Sequence, residues 1–172
     1  FYHDKDYSPK FDKARSIRID SLSFNADGTI KKVIPTLRGV GVTAANKQIQ
    51  IDRYTQLSEQ GISIAFLDTL NTFKGWKTIF NGAGAWLQYN SVDFGSKPLK
   101  TVSVNAMSTD GSVLQLRANS ITGPVIAEIR IAKSNEWKLT KATVLKTQTG
   151  VQNLFVVSKD GKQVEVDWIS FE

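Results

Sequence analysis

Four tryptophans, one histidine and no cysteine bound the chemistry open to this chain. Without cysteine there is no disulfide, no thiol nucleophile and no zinc–thiolate site. The one histidine, His3, stands alone near the start, and no pair of carboxylates is set by a motif. No nucleophile–base set can therefore be assembled from the sequence. The aromatic residues are more informative. Trp137 follows the polar stretch Lys133-Ser134-Asn135-Glu136, between two strand-like runs. A tryptophan at such a loop is either a lid on the core or a flat plate for a ligand with an apolar face. Trp76, in Phe73-Lys74-Gly75-Trp76-Lys77-Thr78-Ile79, also reads as a loop with a tryptophan at its tip. Trp86 and Trp168 lie inside strand patterns and are expected to be structural, packed in the core.

The elements that must position these residues are short and numerous. Ser112–Ala118 puts Leu114, Leu116 and Ala118 on one face and Gln115 and Arg117 on the other, a period of two. Similar runs are read over Gln48–Tyr54, Ile62–Leu67, Trp86–Tyr89, Thr101–Ala106, Val125–Ile131, Lys141–Leu145, Asn153–Val157 and Gln163–Phe171. Asn81-Gly82, Asp110-Gly111, Thr122-Gly123-Pro124 and Asp160-Gly161 separate them with turn chemistry. Many short strands and no helical pattern predict an all-β, antiparallel β-sandwich or barrel. Near the start, Arg15–Phe24 and Thr29–Ile34 flank Asn25-Ala26-Asp27-Gly28, a hairpin signal. Pro35–Gly41, with one proline and two glycines, reads as a boundary.

Bulk properties narrow the function classes. Apolar residues make up 41% and charged residues 22%, an ordinary globular composition. No apolar run reaches the roughly 20 residues of a membrane span, so no membrane partner is expected. The net charge of +6 is spread along the chain: residues 1–35 hold seven basic and five acidic groups, the remainder fifteen and eleven. Nucleic-acid binders more often cluster such charge in a stripe, so no nucleic-acid partner is expected. Phe1-Tyr2-His3-Asp4 carries neither an initiating methionine nor an apolar leader, and reads as the continuation of a longer chain.

Taken in order, several segments resemble a family 6 carbohydrate-binding module over residues about 45–172. Gln48–Tyr54 (QIQIDRY) is similar to the family's opening I-E-A-E-x-Y, and Ala83–Gly95 (AGAWLQYNSVDFG) to N-G-D-W-V-x-Y-x-x-V-D-F-G. Thr122-Gly123-Pro124 matches a T-G-P turn, and Asn135-Glu136-Trp137 a G-G-W loop. Gly150–Val157 matches G-V-H-D-L-Y-L-V, and Asp167–Phe171 the closing D-W-F-x-F. Phe1–Val33 resembles the closing segment of a family 43 glycoside hydrolase, a five-bladed propeller, which often ends in Y-H and then R-S-x-x-I-D-x-L-x-F-N-x-D-G-T-I-K. The organisation expected is a partial propeller tail over 1–35, a linker over 36–44 and a sandwich module over 45–172. The fold implied is a jelly-roll β-sandwich preceded by a hairpin-like remnant of the propeller.

The resemblance also implies a chemistry. Family 6 modules are non-catalytic. They sandwich a sugar ring between two aromatics in a cleft at one edge of the sandwich, where an asparagine fixes it; some bind on a concave sheet face. Trp137 matches one plate, and Phe80 or Trp76 is the candidate for the other. Glu165 stands where the family has its asparagine, and Ala85 where it has the aspartate of G-D-W. A structural calcium is common in the fold and its matching positions are Gln50, Asp52 and Asp167. No organic cofactor is expected. In a complete propeller the histidine matching His3 lies near the central channel; here it reads as an exposed terminal residue. The expected partners are a plant cell-wall polysaccharide or oligosaccharide, such as the hemicelluloses xylan and arabinoxylan, and a covalently attached hydrolase domain. The expected location is extracellular or periplasmic. The competing expectation is an accessory sandwich that braces the propeller and binds no sugar.

Overall fold

The structure, a computed structural model, describes residues 19–36 and 38–172. His3 and the first part of the Arg15–Phe24 run lie outside the described residues. The chain divides into two units, Phe1–Gly41 and Val42–Glu172.

In the first unit the Asp-Gly turn forms as its chemistry predicts. Gly28 takes φ 83°, a left-handed conformation that glycine adopts at little cost. The Asp27 carboxylate accepts from the Thr29 N–H and hydroxyl at 3.0 and 2.7 Å. These bonds hold its carboxyl below the ordinary range, the hydroxyl contributing most. Among the described residues the flanking runs form no ladder of strands. Phe24 and Ile30 make a single antiparallel bridge.

The second unit is a sandwich of two sheets. Its strands are β1 (Thr43–Ala44), β2 (Ile49–Gln50), β3 (Gln56–Leu57), β4 (Ile62–Phe66), β5 (Trp76–Phe80), β6 (Trp86–Asp93), β7 (Thr101–Ser108), β8 (Ser112–Ala118), β9 (Val125–Ile131), β10 (Ser134–Thr143), β11 (Val151–Ser158) and β12 (Val164–Phe171). One sheet runs β1-β6-β11-β8-β9, with β3 on β6; the other runs β10-β7-β12-β5-β4, with β2 on β12. Every pairing is antiparallel except β1 on β6. Strand β1 lies within the segment expected to be linker.

Alternation is strict in β8, whose Leu114, Leu116 and Ala118 share one buried core cluster with Val102, Val104 and Ala106 of β7. Burying such side chains contributes roughly 1.5–3 kcal/mol each for the larger ones. The turn before β12 shows why Asp160 is followed by glycine. Gly161 has φ 72°, and a Cβ there would lie 2.6 Å from the Ala83 backbone nitrogen.

Three expectations are corrected. The Phe73–Ile79 stretch is not a loop throughout: Trp76 opens β5, whose buried residues are Thr78 and Phe80 on one row. Trp137 lies inside β10, which begins at Ser134 rather than at Lys141. Trp86 and Trp168 are not core residues. Both face outward and are half-buried, Trp86 resting on Phe155 with ring centroids 5.6 Å apart. A period of two puts them opposite the inward rows of Leu87 and Tyr89 and of Ile169 and Phe171.

Candidate functional site

The two edge strands of one sheet, β4 and β10, each supply an aromatic side chain to the same cleft: Phe66 at the end of β4 and Trp137 within β10. This open cleft of about 450 Å³ is lined by Phe66, Leu67, Asp68, Thr69, Lys74, Lys77 and Trp137. Its size is that of an ordinary small-ligand site.

Trp137 is positioned by a β-bulge. Ser134 pairs with Ser108 and Lys138 with Ala106, so three residues are squeezed out of the ladder between them. The Ser134 hydroxyl pins the excursion, accepting from the Glu136 N–H at 3.1 Å. A bulge re-aims a side chain that a regular strand would leave on its own face. Trp137 lines the cleft and is not among the core residues.

Phe66 forms the opposite wall. It is the last residue of β4 and pairs with Trp76. The two rings stack, with centroids 4.0 Å apart and planes inclined by 27°. Of the two stacked rings, Phe66 lines the cleft and Trp76 does not. Phe80, expected as a second plate, is a core residue with 0% exposure, wedged between Ile62 and Val164. Its position four residues along the same strand from Trp76 keeps it on the inward row.

The polar groups come from the loop after β4 and from β5. The Asp68 carboxylate accepts from the Leu70 N–H at 2.8 Å and from Lys74 Nζ at 2.9 Å. Its carboxyl is held below the ordinary range, the Lys74 hydrogen bond being the largest cause. Lys77 lines the cleft, and its Nζ donates to Glu165 Oε2 at 2.7 Å. Glu165 is not itself a lining residue; its carboxylate is bonded to Lys77. Ala85 is buried, and a Cβ on Gly61 would come within 2.9 Å of it. A carboxylate at that position would have to enter a packed, apolar contact.

The residues matched to a calcium site do not assemble one. Gln50 is exposed and pairs with Trp168. Asp52 is buried, with Arg53 Nε 3.5 Å from its carboxylate. Asp167 accepts from Asn105 Nδ2 at 3.0 Å, and burial raises its carboxyl above the ordinary value. Among the described residues no three acidic or histidine side chains group as metal ligands. A hard cation takes about six to eight oxygens; one carboxylate facing a guanidinium and another spent on an amide do not fit it.

Sequence reasoning missed Phe66, Lys77 and the Asp68–Lys74 loop. A signal for Phe66 existed in the inward row Ile62, Ile64, Phe66, whose last member runs out past the core. Lys77 carried none, because its role depends on Glu165, 88 residues away.

A cleft lined by two aromatic rings and several hydrogen-bonding groups suits a ligand with apolar faces and hydroxyl edges. A family model described as carbohydrate binding module (family 6) matches residues 55–172. The chain belongs to that family. The module is non-catalytic. A curated relative, an arabinoxylan arabinofuranohydrolase of Paenibacillus polymyxa, is 25% identical over 157 residues. The match takes in 83% of this chain but 23% of that protein, so this chain spans about a quarter of its relative's length. Among solved structures, a CBM6 of Clostridium stercorarium in complex with cellobiose superposes with a TM-score of 0.68 at 21% identity, over 77% of this chain and 97% of that one. A family 43 arabinoxylan arabinofuranohydrolase of Bacillus subtilis, in complex with cellotetraose, gives 0.69 at 18% identity, over 88% of this chain and 33% of that one. At these identities the structural likeness is one of fold. Both hydrolases match more of the chain than Val42–Glu172 can supply, so the likeness extends into the first unit.

Proposed function

We propose that this module holds an appended family 43 hydrolase, of xylosidase or arabinofuranosidase type, on hemicellulose such as xylan or arabinoxylan. A sugar ring enters the cleft between Trp137 and Phe66, its C–H faces on the rings and its hydroxyls toward Lys77, Lys74, Asp68 and Thr69. The observation that carries this reading is the pair of aromatic walls drawn from opposite edge strands onto one polar floor. The arabinoxylan-degrading relatives support the choice of polymer. The benefit is a raised effective concentration of catalyst at an insoluble substrate. Such a polymer is met outside the cytoplasm, so the protein works in an extracellular or periplasmic setting.

A second reading, an accessory sandwich that braces the hydrolase and binds no sugar, is favoured by Glu165, whose carboxylate is spent on Lys77 rather than lining the cleft. Titration with xylo- and cello-oligosaccharides, followed by tryptophan fluorescence, separates the two. A saturable change in the wild type that is absent in Trp137→Ala supports the cleft. Absence of any response, together with no retention on arabinoxylan, supports the brace.

A further inference from the structure

The loop on one side of the cleft carries two side chains that the cleft does not use. Leu70 is 97% exposed and Phe73 is 99% exposed. Both lie between Thr69 and Lys74, which line the cleft. The loop is pinned at several points. Asp68 accepts from the Leu70 N–H and from Lys74 Nζ. Asn71 Oδ1 accepts from the Phe73 N–H at 3.2 Å, and the Leu67 N–H reaches Gly75 O at 2.9 Å across the loop's base. The backbone that carries Phe73 is therefore held while its ring stands in water.

We propose that Phe73, with Leu70 beside it, is an outer platform on which a polysaccharide chain seated in the Trp137–Phe66 cleft continues. The proposal rests on the cleft being a sugar site, and it adds the ligand class: an extended chain, longer than the cleft accommodates, rather than a small sugar or a free chain end. Continuity with the cleft argues for this occupant, since the same loop supplies both surfaces. The composition argues for it as well. Thr69, Asn71 and Thr72 interleave with the two apolar residues, so plates alternate with hydrogen-bonding groups, as sugar rings require. A protein-docking surface would instead present a contiguous apolar centre.

The test is affinity against chain length, by calorimetry with xylo- and cello-oligosaccharides from the disaccharide to the hexasaccharide. Wild type, Phe73→Ala, Leu70→Ala and Trp137→Ala are compared. In the wild type affinity climbs with length. Phe73→Ala leaves the disaccharide unchanged and loses about tenfold at the hexasaccharide, the worth of one aromatic contact. Leu70→Ala loses less, with the same length dependence. If Phe73→Ala binds the hexasaccharide as tightly as wild type while Trp137→Ala does not, the platform is overturned and the cleft stands. Equal losses at every length would put Phe73 inside the cleft and also overturn the proposal. Undiminished binding by Trp137→Ala would overturn the cleft itself.

Discussion

Lys77 Nζ lies 2.7 Å from Glu165 Oε2, and only 19% and 13% of the two side chains are exposed. By the sequence resemblance, Glu165 is matched to the family's sugar-fixing asparagine. An amide both donates and accepts, and a lone carboxylate only accepts. Lys77 lines the cleft and its ammonium offers three donors, while Glu165, which does not line it, holds that ammonium in place. The replacement of an amide by an ion pair is thus compatible with hydroxyl recognition, provided the two charges stay together.

Breaking the pair should therefore cost stability as well as binding. Lys77→Met leaves a mostly buried carboxylate without its partner and is expected to destabilise the module by about 1–3 kcal/mol. Lys77→Met/Glu165→Met should recover most of that loss but not sugar affinity. Urea denaturation of the single and double variants measures the coupling. An unchanged midpoint in Lys77→Met would show the pair to be energetically idle.

Phe80 and Trp137 should separate stability from binding. Phe80→Ala opens a cavity between Ile62 and Val164 and is expected to cost about 3–5 kcal/mol. Trp137→Ala, at a bulge facing the cleft, should cost within about 1 kcal/mol. Thermal unfolding of each decides; the reverse ranking would make Phe80 the plate and Trp137 the core residue.

Asp167 gives a pH dependence of definite sign. Burial raises its carboxyl in the folded state, and the Asn105 hydrogen bond offsets this only in part. The folded chain then binds the proton more readily than the unfolded chain. Stability from this group falls as pH rises from the unfolded carboxylate value, about 3.9, through the raised folded value. Asp167→Asn should raise Tm at neutral pH, with the gain vanishing below the unfolded value. A lower Tm at neutral pH would mean that the carboxylate has a cationic partner after all.

Calcium offers a related check. Because Asp52 faces Arg53 and Asp167 is bonded to Asn105, chelation is expected to leave the unfolding midpoint unchanged. A drop in Tm with EDTA, restored by added calcium, would show that these residues rearrange around the ion.

Much of the fold was legible because its signals are local. The alternation in Ser112–Ala118 names the inward row of β8 directly, and Asp27-Gly28 names its turn. Of the residues singled out from sequence as sugar contacts, Trp137 lines the candidate cleft. Its second wall was not legible. Whether Phe66, Trp76 or Phe80 faces outward depends on where β4 ends and on which rings stack, and that is settled by tertiary packing rather than by spacing. Trp86 and Trp168 misled for a related reason. Large apolar side chains are usually buried, but a strand interior has two faces, and these two rings occupy the outer one.

The most direct test of the account is amide chemical-shift mapping of the isotope-labelled chain titrated with xylotetraose and cellotetraose. The cleft account predicts saturable shifts concentrated in 66–77 and 134–138, lost together in Trp137→Ala. Shifts confined to the outer sheet face around Asn105 and Trp168, or no shifts with either sugar, would contradict it.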